Sequence, residues 1–114
     1  MKERTKRYGV RIVKLASSLP RMEPGWILGR QLLRSGTSVG ANYRAACRAK
    51  SRADFINKLK IAEEECDESL YWMELLLDAD FISENRLSAL RTEGSELLAI
   101  LVASIRSART NSRD

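Results

Sequence analysis

Residues 51–78 read SRADFINKLKIAEEECDESLYWMELLLD, and this stretch decides the fold. Phe55, Leu59, Ala62, Cys66, Leu70, Met73 and Leu77 recur every three or four positions, close to the heptad seam of a helix packed against other helices. Ser51 stands just ahead of the stripe and Asp54 three residues on, a capping-box-like start.

Three further helical patterns surround it. Upstream, Leu28, Leu32, Val39, Tyr43 and Ala46 form a stripe from Trp26 to about Lys50, with Gly36 in its one gap. Before that, residues 4–19 place Tyr8, Ile12, Leu15 and Leu19 on one face, and Pro20 marks the stop. Pro20–Gly25 is the only proline-rich connection. Downstream, Asp80–Ser83 reads as a short turn with Ser83 or Asp80 as a cap, followed by Leu87, Leu90, Gly94, Leu97, Leu101 and Ile105. Four amphipathic helices on short turns predict an all-α, antiparallel up-down-up-down four-helix bundle. The chain has 114 residues, which suits one domain over 1–114, with a frayed polar tail from about 107.

Composition agrees and narrows the chemistry. Apolar residues make up 44% and aromatics 6%, with two prolines and six glycines, which favours helices over strands and turns. No run approaches the roughly 18 unbroken apolar residues of a membrane span. The basic N-terminus lacks an apolar signal core, so a soluble, cytoplasmic protein without membrane contact is expected. Histidine is absent, which removes Ser-His-Asp and Cys-His catalysis and His-containing zinc sites. The acidic run Glu63–Glu68 lacks the Glu-x-x-His motif of di-metal bundles, and Glu64 and Glu68 are angled toward solvent. No nucleophile–base pair can be assembled, so a non-enzymatic protein without metal or cofactor is expected. Cys47 and Cys66 form no CxxC pair and read as small buried apolar residues. In an antiparallel hairpin turning near Ser51–Ala53 they lie roughly 13 Å apart in height, too far for a disulfide.

Charge is divided along the chain. Residues 1–52 hold thirteen Lys/Arg and two Asp/Glu, whereas residues 53–114 hold seven and thirteen. Arg30, Arg34, Arg44, Arg48 and Arg52 fall within a sector about 80° wide, opposite the apolar stripe of the second helix. The first helix adds Lys2, Arg4, Lys6, Arg7, Arg11 and Lys14. Guanidinium forks suit phosphate, and without interleaved aromatics any nucleic-acid contact would be to backbone. The alternative is pairing with Glu63, Asp67, Glu74 and Asp78, which share one side of the third helix.

Two features suggest association. Ser35-Gly-Thr-Ser-Val-Gly-Ala-Asn42 sets Gly36 and Gly40 four apart inside a helix, a spacing that admits close approach by a neighbouring helix or subunit. Leu98, Ile100 and Val102 fall off the main stripe of the last helix, as do Leu75 and Leu76 beside Trp72 on the third. We therefore place Ser35, Gly36, Gly40, Asn42, Leu98 and Val102 at an oligomer interface.

The motifs Arg34-Ser-Gly-Thr-Ser-Val-Gly-Ala-Asn-Tyr-Arg-Ala-Ala46, Ser51-Arg-Ala-Asp-Phe55 and Ala62 through Leu75 resemble the bacterial four-helix-bundle family, the 23S rRNA intervening-sequence proteins. The likeness runs from about Arg11 to Ile105. It implies a small homo-oligomer, a pentamer arranged as a barrel around a central channel, and supplies no catalytic residues. Related accessory variability determinants of diversity-generating retroelements use a basic surface to engage a reverse transcriptase and nucleic acid. Two functions are thus expected: RNA or ribonucleoprotein binding through the arginine face, or an adaptor meeting acidic faces of neighbours or of a reverse-transcriptase-like partner.

Overall fold

A computed structural model of the chain describes residues 1–111. Helices α1 (Lys2–Ser17), α2 (Gly25–Cys47), α3 (Arg52–Asp78) and α4 (Glu84–Asn111) follow one another, with no strand among the described residues. Each packs on its neighbours in the chain and α1 closes against α4, while the diagonal pairs make no close backbone approach. This is an antiparallel up-down-up-down bundle, 51 Å long and about 20 Å across.

Local chemistry sets the ends. Ser51 is extended and its hydroxyl accepts from the backbone N–H of Asp54 at 3.1 Å, capping α3 as its spacing predicts. At the other end Asp80 has φ 63, and Phe81 N–H donates to the Leu76 carbonyl while Asp80 N–H donates to that of Leu77. That is a Schellman closure of α3 with aspartate where glycine is usual. Asp80 therefore ends α3, and Ser83 starts α4 by accepting from Arg86 N–H at 3.4 Å. α2 stops at Cys47, earlier than the Lys50 suggested by its pattern. α4 continues through the expected frayed tail to Asn111, with Ala108 buried; residues 112–114 lie outside the described residues.

The buried positions of α3 are Leu59, Ala62, Cys66, Ser69, Met73 and Leu76, a strict alternation of three and four. Ser69 and Leu76 are thus added to the expected seam as fully buried positions, with Leu70 and Leu77 half-buried against the core, and Leu76 is core rather than a spare apolar group. Ser69 belongs there because its hydroxyl has two partners. It meets the buried Tyr8 hydroxyl at 2.8 Å and donates to the Cys66 carbonyl at 2.7 Å. The Cys66 thiol donates in turn to the Gly94 carbonyl at 3.4 Å. Burial pushes that thiol's pKa up to about 12. Cys47, by contrast, is exposed at the end of α2, so only one cysteine is the buried apolar filler expected.

The glycines of α2 serve the bundle itself. A Cβ on Gly36 would lie 2.7–3.1 Å from three side-chain atoms of Ile12, and one on Gly40 would lie 3.3 Å from the Thr5 carbonyl oxygen. Helix α1 presses onto α2 at these points, and Gly9 meets Thr37 in the same seam. Ser35 and Gly36 are buried inside the chain, so the expectation that they form a surface between subunits is corrected. Gly40 and Asn42 remain half-buried, and Asn42 Nδ2 donates to the Ser38 carbonyl of its own helix. Leu98 packs against the core and Val102 is half-buried on α4.

Candidate nucleic-acid interface

Because the core and the α1 seam occupy one side of α2, its other side is left to Arg30, Arg34, Arg44 and Arg48, all exposed. Arg52, also exposed, opens α3. The face is where its periodicity predicts it. The side chains on it are not equivalent.

Arg34 is bound to α3. Its Nη1 donates to both carboxylate oxygens of Glu65, at 3.3 and 3.1 Å, and its Nη2 donates to Glu68. Burial would lower the guanidinium's pKa, but the bonds and attraction to Glu65 and then Glu68 outweigh it and raise it. Pairing between α2 arginines and α3 carboxylates within the chain was one expectation, but Glu63, Asp67, Glu74 and Asp78 are not the partners. Hairpin register explains the choice. Arg34 and Glu68 each stand 17 residues from Ser51, so antiparallel helices bring them level. Glu68 is thereby drawn out of the solvent-facing role its angle suggested.

On α1, Arg4 is likewise committed. It donates to Glu93 through two bonds of 2.8 Å and approaches Glu96 at 3.5 Å. The hydrogen bond from Arg4 holds the Glu93 carboxyl below the usual carboxylate range. Near the α1–α2 turn, the Arg21 guanidinium lies 5.4 Å from the Trp26 ring centroid, and both line a small recess with Arg30.

The other end of α2 differs. Helix α1 crosses Gly40 at Thr5 and has only three helical residues beyond it. The last turn of α2, about 6 Å, therefore runs past it. There an open cleft forms between the end of α2 and the start of α3. Its walls carry Arg44, Arg48, Lys50 and Lys58, its floor is Ala41 and Ala45, and Asp54 is its one carboxylate among the described residues. None of these cations makes an ion pair among the described residues. Lys50 and Lys58 were missed from sequence because they belong to a turn and to another helix. The signal was available: Lys58 and Arg44 each stand seven residues from Ser51.

Among the described residues no group of three or more acids and cysteines could hold a metal, and no helix is long and apolar enough to cross a membrane. The sequence matches the 23S rRNA-intervening sequence protein family over residues 1–103. The chain belongs to that family. A crystal structure from Bacteroides thetaiotaomicron VPI-5482 is 40% identical, with TM-score 0.86 over 91% of this chain and 96% of that one. It is described as a protein with unknown function from the S23 ribosomal protein family. No curated protein matches the sequence. Family membership and the bundle agree with the resemblance read from the motifs.

Proposed function

We propose that this family member is a non-enzymatic, cytoplasmic, oligomeric bundle that binds RNA or a ribonucleoprotein through the basic face of α2, extended by the lysines and arginines of α1. The observation that carries this reading is the α2 surface itself, where Arg30, Arg44 and Arg48 stand exposed and unpaired among the described residues, flanked by Arg52. Arginines in that state donate forked hydrogen bonds to phosphate with little to give up beyond hydration. Half-buried Leu98, Ile100 and Val102 on α4 support association into a homo-oligomer, for which the resemblance implies five subunits.

The test is fluorescence anisotropy of the whole protein with a labelled structured ribosomal RNA and a duplex DNA control, titrated between about 50 and 200 mM salt. RNA binding that weakens steeply with salt is the expected result. No binding at the lower salt overturns the reading. A second reading has one observation in its favour: Arg34 already engages two carboxylates, as an adaptor's arginines would on a protein partner such as a reverse-transcriptase-like subunit. Oligomer mass at low and high salt separates them, since ion-paired interfaces respond to screening more than apolar ones.

A further inference from the structure

The arginines that share the exposed face of α2 are not all free. With Arg34 held by Glu65 and Glu68, the stretch from Arg30 to Arg44 presents Thr37, Ser38 and Ala41 and no free cation over roughly 21 Å of helix. A backbone laid along α2 would cross a neutral gap. At the α2–α3 corner the opposite holds: Arg44, Arg48, Lys50 and Lys58 surround a single cleft whose one acid is Asp54.

The register makes that corner unusual. The rule that sets Glu68 level with Arg34 sets Lys58 level with Arg44, cation beside cation, where a carboxylate would stabilise the hairpin. Asp54 answers only part of this charge, and its place in the first turn of α3 also serves that helix's N-terminus. Concentrated, unneutralised charge over a small-residue floor costs the free protein stability and favours an anion between the walls.

We infer that this cleft is the phosphate seat: it takes a short stretch of the sugar-phosphate backbone of an RNA, with Arg44, Arg48 and Lys58 as contacts and Lys50 at its rim. Arg34 is not a contact. The cleft lining has no aromatic side chain, so the seat reads backbone and not bases. This rests on the RNA-binding reading above and narrows it.

The experiment measures anisotropy of a fluorescein-labelled single-stranded RNA about a dozen nucleotides long, with a fully paired RNA of equal length as the second probe, across salt. For the single strand, Arg44→Ala and Lys58→Ala each reduce the slope of log K against log salt by about 0.7. Arg34→Ala leaves slope and affinity within twofold of wild type. Lys58→Glu, which gives Arg44 a partner, loses at least tenfold in affinity while melting no lower than wild type. If wild type binds but Arg34→Ala loses as much as Arg44→Ala, or Lys58→Glu binds within twofold of wild type, the assignment of the seat is overturned and the broader reading survives. If wild type binds neither probe at about 50 mM salt, both fall.

Discussion

The two halves of α2 make opposite use of similar sequence. From Gly29 to Gly40 the helix has small residues on its α1 side, because Leu19, Ile12 and Thr5 press directly against it. Of its two arginines on the outer face there, Arg30 makes no ion pair among the described residues and Arg34 is tied down by α3. From Ala41 to Arg48 small residues recur, but α1 runs out along this stretch, and Ala41 and Ala45 floor an open cleft whose cations have no acid beyond Asp54 among the described residues. Small residues therefore mean close helix packing in one half and access in the other. What decides is whether a neighbouring helix is present at that height.

The largest effect that tests this contrast is expected at Gly36. Leucine there would drive a branched side chain into Ile12, itself fully buried and β-branched, so that neither can yield without moving α1. Gly36→Leu should cost about 3 kcal/mol by denaturant titration, despite gaining helix propensity. Ala41→Leu, at an exposed position in the other half, should change stability by less than about 0.5 kcal/mol. Equal costs would remove the distinction between the halves.

Alkaline pH examines the closed half from inside. Cys66, Tyr8 and Ser69 form a buried polar chain beneath α1. Burial raises the Cys66 pKa from 9.0 to about 12, and burial likewise raises that of Tyr8 above its ordinary 10.0. In that interval the unfolded chain loses protons that the folded one keeps, so stability is full below pH 9 and falls as pH rises toward 12. Urea midpoints between pH 8 and 11 should decline from near 9, and Cys66→Ala should move the onset to near 10, where unfolded Tyr8 ionises. A flat profile would mean that the chain of hydroxyl and thiol is open to water.

Much of this was legible in the sequence. The apolar stripes, the Ser51 cap and the proline between α1 and α2 sufficed for four antiparallel helices, since each is a local signal with a fixed period. The seam of α3 was misread at Ser69 and Leu76 because a hydrophobic pattern cannot see that Tyr8 supplies Ser69 with a buried partner. The glycines were recognised as a close-approach device for a neighbouring helix or subunit, but placing Ser35 and Gly36 between subunits was wrong, because choosing between the two needs the α1–α2 pairing, which depends on where α1 starts. Angles on one helix grouped the arginines correctly. Which of them is neutralised depends on height in the α2–α3 hairpin, and that needs the turn placed to within one residue.

The smallest expected effect tests that last point most directly. Arg34 is half exposed and its partner Glu65 mostly covered, with side-chain accessibilities of 50% and 21%. Solvent screens such a pair, so Arg34→Ala should lower stability by only about 0.5 kcal/mol. The loss should shrink in 1 M salt, where the Debye length is about 3 Å. Arg44→Ala removes a cation from beside Lys58, so it should leave stability unchanged or raise it by a few tenths of a kcal/mol, with the gain vanishing in the same salt. Opposite signs for two arginines on one helix, both abolished by screening, would show that hairpin register and not surface periodicity assigns their roles. If both variants lose stability alike, Arg44 has an acidic partner and the corner is as settled as the seam.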